Sequence, residues 1–329
     1  MSAFRTSWFP FFLAAIFFIA ILNNIFYSPK KDPEKKLVIE KDWKAPDINL
    51  VPQTPEGDLI RYGRALIVNT SKYLGPRGIV APITNGMNCQ NCHIEAGMRL
   101  PVNSFFSVAS TYPRFRERSG KVESIVFRIN DCLQRSLDGK TIDSLSKEMQ
   151  AMVAYLKWVG KNGIPKEKLS LTPAELPFLN RAADTLKGKI IFQENCQRCH
   201  QSNGQGVLYP DSTGYLYPPL WGVNSFNASA GLYRISRLAI FIKYNMPFDQ
   251  VKNGPKLSEE DAWDVAAFIC SKPRPVKIFP EDWPNPESKP IDFPFGPYTD
   301  GFTLLQHKYG PFLPIKKAHS AIQKASDHH

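Results

Sequence analysis

The hexapeptide Asn-Cys-Gln-Asn-Cys-His at residues 88–93 returns, with one change, as Asn-Cys-Gln-Arg-Cys-His at residues 195–200. Each copy contains C-x-x-C-H. In that spacing two thiols add to the vinyl groups of a haem, and the adjacent histidine becomes the proximal iron ligand. A chain with two such motifs must build two cores around flat iron-bearing groups. A zinc site would use the pairs as four thiolates and leave both histidines unexplained; a thioredoxin-like redox pair is the other alternative. The reading adopted is two covalently bound haem c groups, one on Cys89, Cys92 and His93, the other on Cys196, Cys199 and His200.

At 329 residues the chain exceeds a typical single domain. It accommodates two cytochrome c-like modules, because haem supplies much of each module's apolar core. The expected fold is mainly α, with two cytochrome c-like haem domains, an N-terminal membrane anchor helix and a Pro-rich C-terminal strap. "GRALIVNTSKYL" (63–74) and "GKIIFQENC" (188–196) look like the opening helices. "SLSKEMQAMVAYLKWVG" (144–160) and "LSEEDAWDVAAFIC" (257–270) look like the closing ones, with apolar residues at helical spacing and acidic residues near their starts. The expected domains are 1–44 (anchor and tether), 45–165 (first haem domain), 166–179 (linker), 180–272 (second haem domain) and 273–329 (extension). The extension, "KPRPVKIFPEDWPNPESKPIDFPFGPYTDGF" onward, is too proline-rich for long helices or central strands and too aromatic for plain disorder. It is expected to lie extended over the modules, with its last dozen residues loose.

The uncharged run "WFPFFLAAIFFIAIL", continued by "NNIFY", is long enough for a signal anchor, and no A-x-A-like cleavage site follows it. Only Arg5 precedes it, whereas Lys30, Lys31, Lys35 and Lys36 follow, which runs against the positive-inside tendency. Haem attachment still requires export. The body is therefore expected in the periplasm, anchored to the inner membrane by the N-terminal helix. Nucleic acid is not an expected partner: there is no recognition motif and the compartment is wrong. The net charge of +11 is compatible with acidic partners or substrates.

The distal ligands separate the two haems. His93 and His200 are proximal, and the other four histidines lie in the tail, so bis-histidine ligation has no source. In the second module "YNMPF" places Met246 ahead of the closing helix, and no other methionine follows His200. The first module has no such loop. Met98 is too near the proximal side, and Met149 and Met152 fall within the closing helix. The ligand position holds "FRINDCLQRSLDG", which contains Cys132. A lone cysteine is more often a buried hydrophobe, yet its position makes Cys132 the soft-ligand candidate. A thiolate donates charge to iron and lowers the potential relative to methionine, giving one reactive haem and one relay. Cys132 and Cys270 could instead form a disulfide or serve separate unpaired roles. Arg99, Arg114, Arg116, Arg118, Arg128 and Arg135 crowd the same region. A run of arginines is usually a solvated face, but together, beside a suspected thiolate, these point to an anion pocket with guanidinium donors suited to oxyanions.

The stretch from "NGMNCQNCH" through "SFFSVASTYPRFRERSGKVESIVFRINDCLQRSLDGK" to "EMQAMVAYLKWVG" resembles the diheme thiosulfate dehydrogenase/tetrathionate reductase family. The first domain of that family is similar to that of sulfur-oxidation diheme cytochromes. The resemblance covers most of residues 55–272 and is most specific at "RINDCLQRS". It implies an active-site haem ligated by His93 and Cys132, and pocket residues at Arg118, Arg128 and Ser136. It also implies interconversion of thiosulfate and tetrathionate, with an external electron-transfer partner such as another cytochrome c. Some members place a lysine immediately before the second haem's methionine; here that residue is Asn245. This difference leaves the physiological direction open. Two other readings stay beside it. A membrane-tethered electron carrier would give Cys132 and the arginines no task. A diheme peroxidase wants an exchangeable haem site and acid/base groups, and the core lacks spare histidine.

Overall fold

The computed structural model describes residues 43–161 and 175–326. The expected anchor lies outside the described residues, as does most of the expected linker. Among the described residues no helix is long and apolar enough to cross a membrane.

Helix α1 (Pro55–Val68) opens the first module. It starts at Pro55 rather than Gly63 because a complete N-terminal signal lies there. The Thr54 hydroxyl accepts from the Gly57 N–H, proline takes the first position, and Glu56 and Asp58 face the positive end of the helix. The helix breaks at Asn69 and a one-turn helix, Thr70–Leu74, follows. A hairpin of β1 (Arg114–Arg116) and β2 (Lys121–Glu123) comes next, with Phe115 opposite Val122. Then come α2 (Ile125–Arg135), capped by Ser124, and the closing helix α3 (Lys147–Val159), capped by Ser146. The sequence "FRINDCLQRS" is thus mainly helix, whereas Met246 in the second module follows directly on the end of a helix. The fully buried side chains of Leu66, Leu74, Met149, Met152 and Tyr155 fill the first core.

The second module repeats the scheme with α4 (Thr185–Asn195), the β3–β4 ribbon (Val207–Leu208 and Tyr215–Tyr217), α5 (Ile235–Asn245) and α6 (Glu259–Cys270). Its closing helix is capped by Ser258 and followed at once by Glu259, Glu260 and Asp261. In each module the opening and closing helices touch at a glycine. A Cβ on Gly63 would stand 2.0 Å from the Ala151 carbonyl oxygen, and one on Gly188 would stand 1.9 Å from that of Asp264. No larger residue permits either approach.

The modules share a polar seam. Asn227 donates its backbone N–H to Arg135 O (3.1 Å) and its side-chain amide to Gln134 O (2.9 Å) and to Asp138 (2.8 Å). Tyr215, from the second module's ribbon, packs in the first core. Of the expected linker, residues 175–179 pack on the second core, where Phe178 meets Trp263 and Phe312.

Residues 273–303 run without long helices, as expected, and touch both modules. Pro273 O and Pro275 O accept from Gly222 N (2.8 Å) and Ala228 N (2.9 Å), and Lys277 Nζ donates to Gly139 O (2.6 Å). Two helices follow, α7 (Leu304–Tyr309) and α8 (Phe312–Ser326), and Phe312 and Ile315 are buried in the second core. Helix runs into the last dozen residues, expected to be loose, as far as Ser326, and 327–329 lie outside the described residues. Pro314 does not prevent α8 because it falls in the first turn, where the missing N–H has no helical partner to lose.

Candidate active site

The first C-x-x-C-H motif lies on a tight turn tied to the end of α1. The Thr70 hydroxyl accepts from Cys89 N (3.0 Å), the Asn88 side chain accepts from Ser71 N (2.8 Å), and Asn91 reaches back to Asn88 N (2.7 Å). His93 donates through Nδ1 to Asn103 O at 2.6 Å. That bond fixes the tautomer and leaves Nε2 free to take a metal. Burial pushes the imidazole down to about 4, so the ring is neutral, the form that binds iron.

Cys89, Cys92 and His93 open on a partly enclosed cavity of the kind that holds ligands and cofactors. Its other walls are mainly apolar, including Ile67, Phe105, Leu133 and Met152, and among them stand Cys132, Arg128, Ser136 and Tyr112. One cavity therefore gathers the two thiols of the C-x-x-C-H motif, a neutral histidine, the Cys132 thiol and a guanidinium. Burial pushes the Cys132 thiol up; Arg128 pulls it down, Asp131 opposes that, and Arg116 and Arg118 pull more weakly. The net shift is upward, so the arginines alone do not make a thiolate. A metal cation would, and the donor set fits a haem iron that His93 and Cys132 would hold.

Of the three anion-pocket residues implied by resemblance, Arg128 and Ser136 line the cavity with Cys132, whereas Arg118 does not. Arg118 sits behind it, donating to Ser229 O (3.2 Å) and packing against Trp283 and Phe293. Arg128 pairs with Asp131, whose other oxygen accepts from Arg135. Arg135 in turn makes two 2.7 Å bonds to Asp282. Arg116 faces Glu123 at 4.0 Å. Arg99 belongs elsewhere, near Glu95 and the Val251 carbonyl.

Sequence reading missed two contributors. Asp131 adjoins Cys132, and its spacing to Arg128 and Arg135 is that of helical ion pairs, a signal that was present. Asp282 lies far along the chain and leaves no local trace.

In the second motif His200 donates through Nδ1 to Pro218 O (2.8 Å), again leaving Nε2 for a metal. Met246 ends α5 and packs, with Cys196, against the second core. Beside it Asn245 is fully buried, with neither side-chain atom hydrogen bonded. A buried amide left so is costly, and a polar edge of a haem in this core fits it. Lys243 is engaged elsewhere, donating to Leu257 O at 2.7 Å. Cys270 is buried in the second core with its thiol toward Tyr233 O, and both it and Cys132 are free, so no disulfide joins them.

The family described as SoxA/TsdA, cytochrome c domain, matches residues 81–163, and the cytochrome c family matches residues 185–272. A thiosulfate dehydrogenase of Stutzerimonas stutzeri is 36% identical over 72% of this chain and 74% of its own length. One of Allochromatium vinosum is 33% identical over 70% of this chain and 84% of its own. A solved structure, the thiosulfate dehydrogenase (TsdBA) of Marichromatium purpuratum in its as-isolated form, superposes with a TM-score of 0.64 at 27% identity. The match covers 71% of this chain and 50% of that one, so this chain spans about half the solved chain's length.

Proposed function

This chain belongs to the thiosulfate dehydrogenase family, and from that premise we propose that it carries two covalent haem c groups and joins two thiosulfates into tetrathionate with release of two electrons. The observation that carries the proposal is the shared cavity in which Cys132, Arg128 and Ser136 stand opposite Cys89, Cys92 and His93. The haems, when bound, accept one electron each.

The physical obstacle is charge. Two unit charges 4 Å apart repel by about 4 kcal/mol at an effective dielectric near 20, and two dianions make roughly four such pairs. Arg128 at the cavity wall, with Arg116 and Arg118 behind, offsets that repulsion. Guanidinium forks also orient the sulfonate oxygens. Cys132 offers a sulfur route by the logic of thiol–disulfide exchange. Its sulfur bonds the terminal sulfur of one thiosulfate as two electrons leave. The terminal sulfur of a second thiosulfate then attacks the sulfur now attached to Cys132, breaking that bond, releasing tetrathionate and returning the thiolate. Run backwards, the thiolate attacks the central S–S bond of tetrathionate and expels thiosulfate.

Met246 is read as the distal ligand of the relay haem, which passes electrons to an external partner such as another cytochrome c. Membrane tethering by residues 1–44 and placement in the periplasm belong to the same reading, because C-x-x-C-H maturation requires export. The test is an assay of the haem-loaded protein with thiosulfate and an artificial one-electron acceptor. Two thiosulfates should disappear for each tetrathionate formed, and Cys132→Ala should abolish this while both haems stay attached. A wild type that exchanges electrons with cytochromes but ignores thiosulfate would be a carrier.

A further inference from the structure

The C-terminal strap enters the arginine cluster at one short segment, "FPEDWP" (279–284), where prolines on both sides fix the backbone. Phe279 lies under the Arg135 guanidinium at 3.7 Å. Asp282 accepts two 2.7 Å bonds from the terminal nitrogens of Arg135, and its carboxylate stands 3.9 Å from Arg118 Nε. Trp283 donates its backbone N–H to Arg118 O at 2.6 Å and lays its ring over the same guanidinium. Pro284 fits against Gly120 in the β1–β2 turn, where a Cβ would meet its ring at 2.5 Å.

Trp283 holds φ at 60°. That region is costly for a bulky side chain and persists only where the surroundings enforce it. Here the enforcing contacts are the docking of the strap on Arg118 and on the hairpin. Asp282 is also placed to decide how Asp131 is shared. Because it occupies both terminal nitrogens of Arg135, Arg135 reaches Asp131 only through Nε, and the other Asp131 oxygen stays with Arg128.

We propose that Asp282 and Trp283 form a clip that sets the orientation of Arg118 and Arg128 from behind, making Asp282 a positioning residue for the anion pocket. The inference rests on the thiosulfate reading of that pocket. It gives the extension a task in substrate recognition that lies outside both matched cytochrome segments.

The experiment compares Asp282→Asn, Trp283→Leu and Asp292→Asn in the haem-loaded full chain. Asp292 anchors the same strap to Arg234 and Ser236 without bonding to any of the four clustered arginines, Arg116, Arg118, Arg128 and Arg135. Asp282→Asn is expected to raise the KM for thiosulfate about tenfold, the equivalent of one charge-assisted hydrogen bond, with a smaller change in kcat. It should also raise the midpoint potential of the first haem, since a nearby negative charge is lost, and leave that of the second unchanged. Trp283→Leu should raise KM in the same direction, and Asp292→Asn should leave KM and both potentials as in wild type. In an Arg118→Ala background, Asp282→Asn should add less than it does alone. Wild-type KM and first-haem potential in Asp282→Asn would overturn the clip. So would equal KM changes in Asp282→Asn and Asp292→Asn tracking equal losses of Tm, because the strap would then be only a staple. If the wild type does not turn over thiosulfate, the functional reading fails, and the potential shift alone decides for or against the clip.

Discussion

Arg128 faces two ways: it pairs with Asp131 on its own helix, and its charge bears on Cys132 in the cavity. Truncating it removes a guanidinium from the cavity wall and leaves Asp131 with only Arg135. Arg128→Ala should therefore cost about 1.5–3 kcal/mol of substrate affinity, roughly a ten- to hundredfold rise in KM for thiosulfate. Arg118→Ala should cost less, because Arg118 stands behind the cavity rather than in its wall. Steady-state kinetics of both variants check this, and unchanged kinetics in both would return these arginines to ordinary packing roles. Cys132 was legible as a candidate from its type and position in the sequence, and the structure places it in one cavity with the first C-x-x-C-H motif. Asp282 was not, because a carboxylate's partner is set by tertiary contact and here lies in a different part of the chain.

At the level of elements, local signals and long-range packing parted ways. The closing helices were readable because serine caps and acidic first turns precede regular apolar spacing. The opening helix was read too short because its signal, Thr54–Pro55, precedes the apolar run by two turns. Helix α8 went unread for a different reason. Its apolar residues acquire meaning only when Phe312 meets Phe178 and Trp263 across the second core. Ile315 on that helix is fully buried. Replacing it with alanine should destabilise the second module by about 2–5 kcal/mol, measured by denaturant unfolding of the haem-loaded protein. Wild-type stability would mean that α8 does not hold that core. The haem cavity was foreseen as a place but not as a shape, because its walls come from elements as distant as Ile67 and Leu156.

On the scale of the whole molecule, two modules that share a motif offer, in the proposed reading, unlike distal donors: Cys132 on a helix and Met246 at a helix end. The thioether favours the ferrous state, so Met246→Gly should lower the potential of the second haem and slow electron delivery to an external acceptor. Substrate binding at the first haem should stay intact. Redox titration checks this, and an unchanged pair of midpoint potentials would make Met246 a packing residue. The polar seam through Asn227 joins α2, which carries Cys132, to the second module, and the strap crosses both. That continuity joins the two cytochrome c modules into one unit, as a proposed substrate module and relay module require. The central claim is that Cys132 is the sulfur donor of the first haem. Low-temperature electron paramagnetic resonance of the oxidised protein tests it most directly. A low-spin signal of His/thiolate type beside one of His/Met type, with the first lost in Cys132→Met, is the expected result; two His/Met-type signals already in the wild type would contradict it.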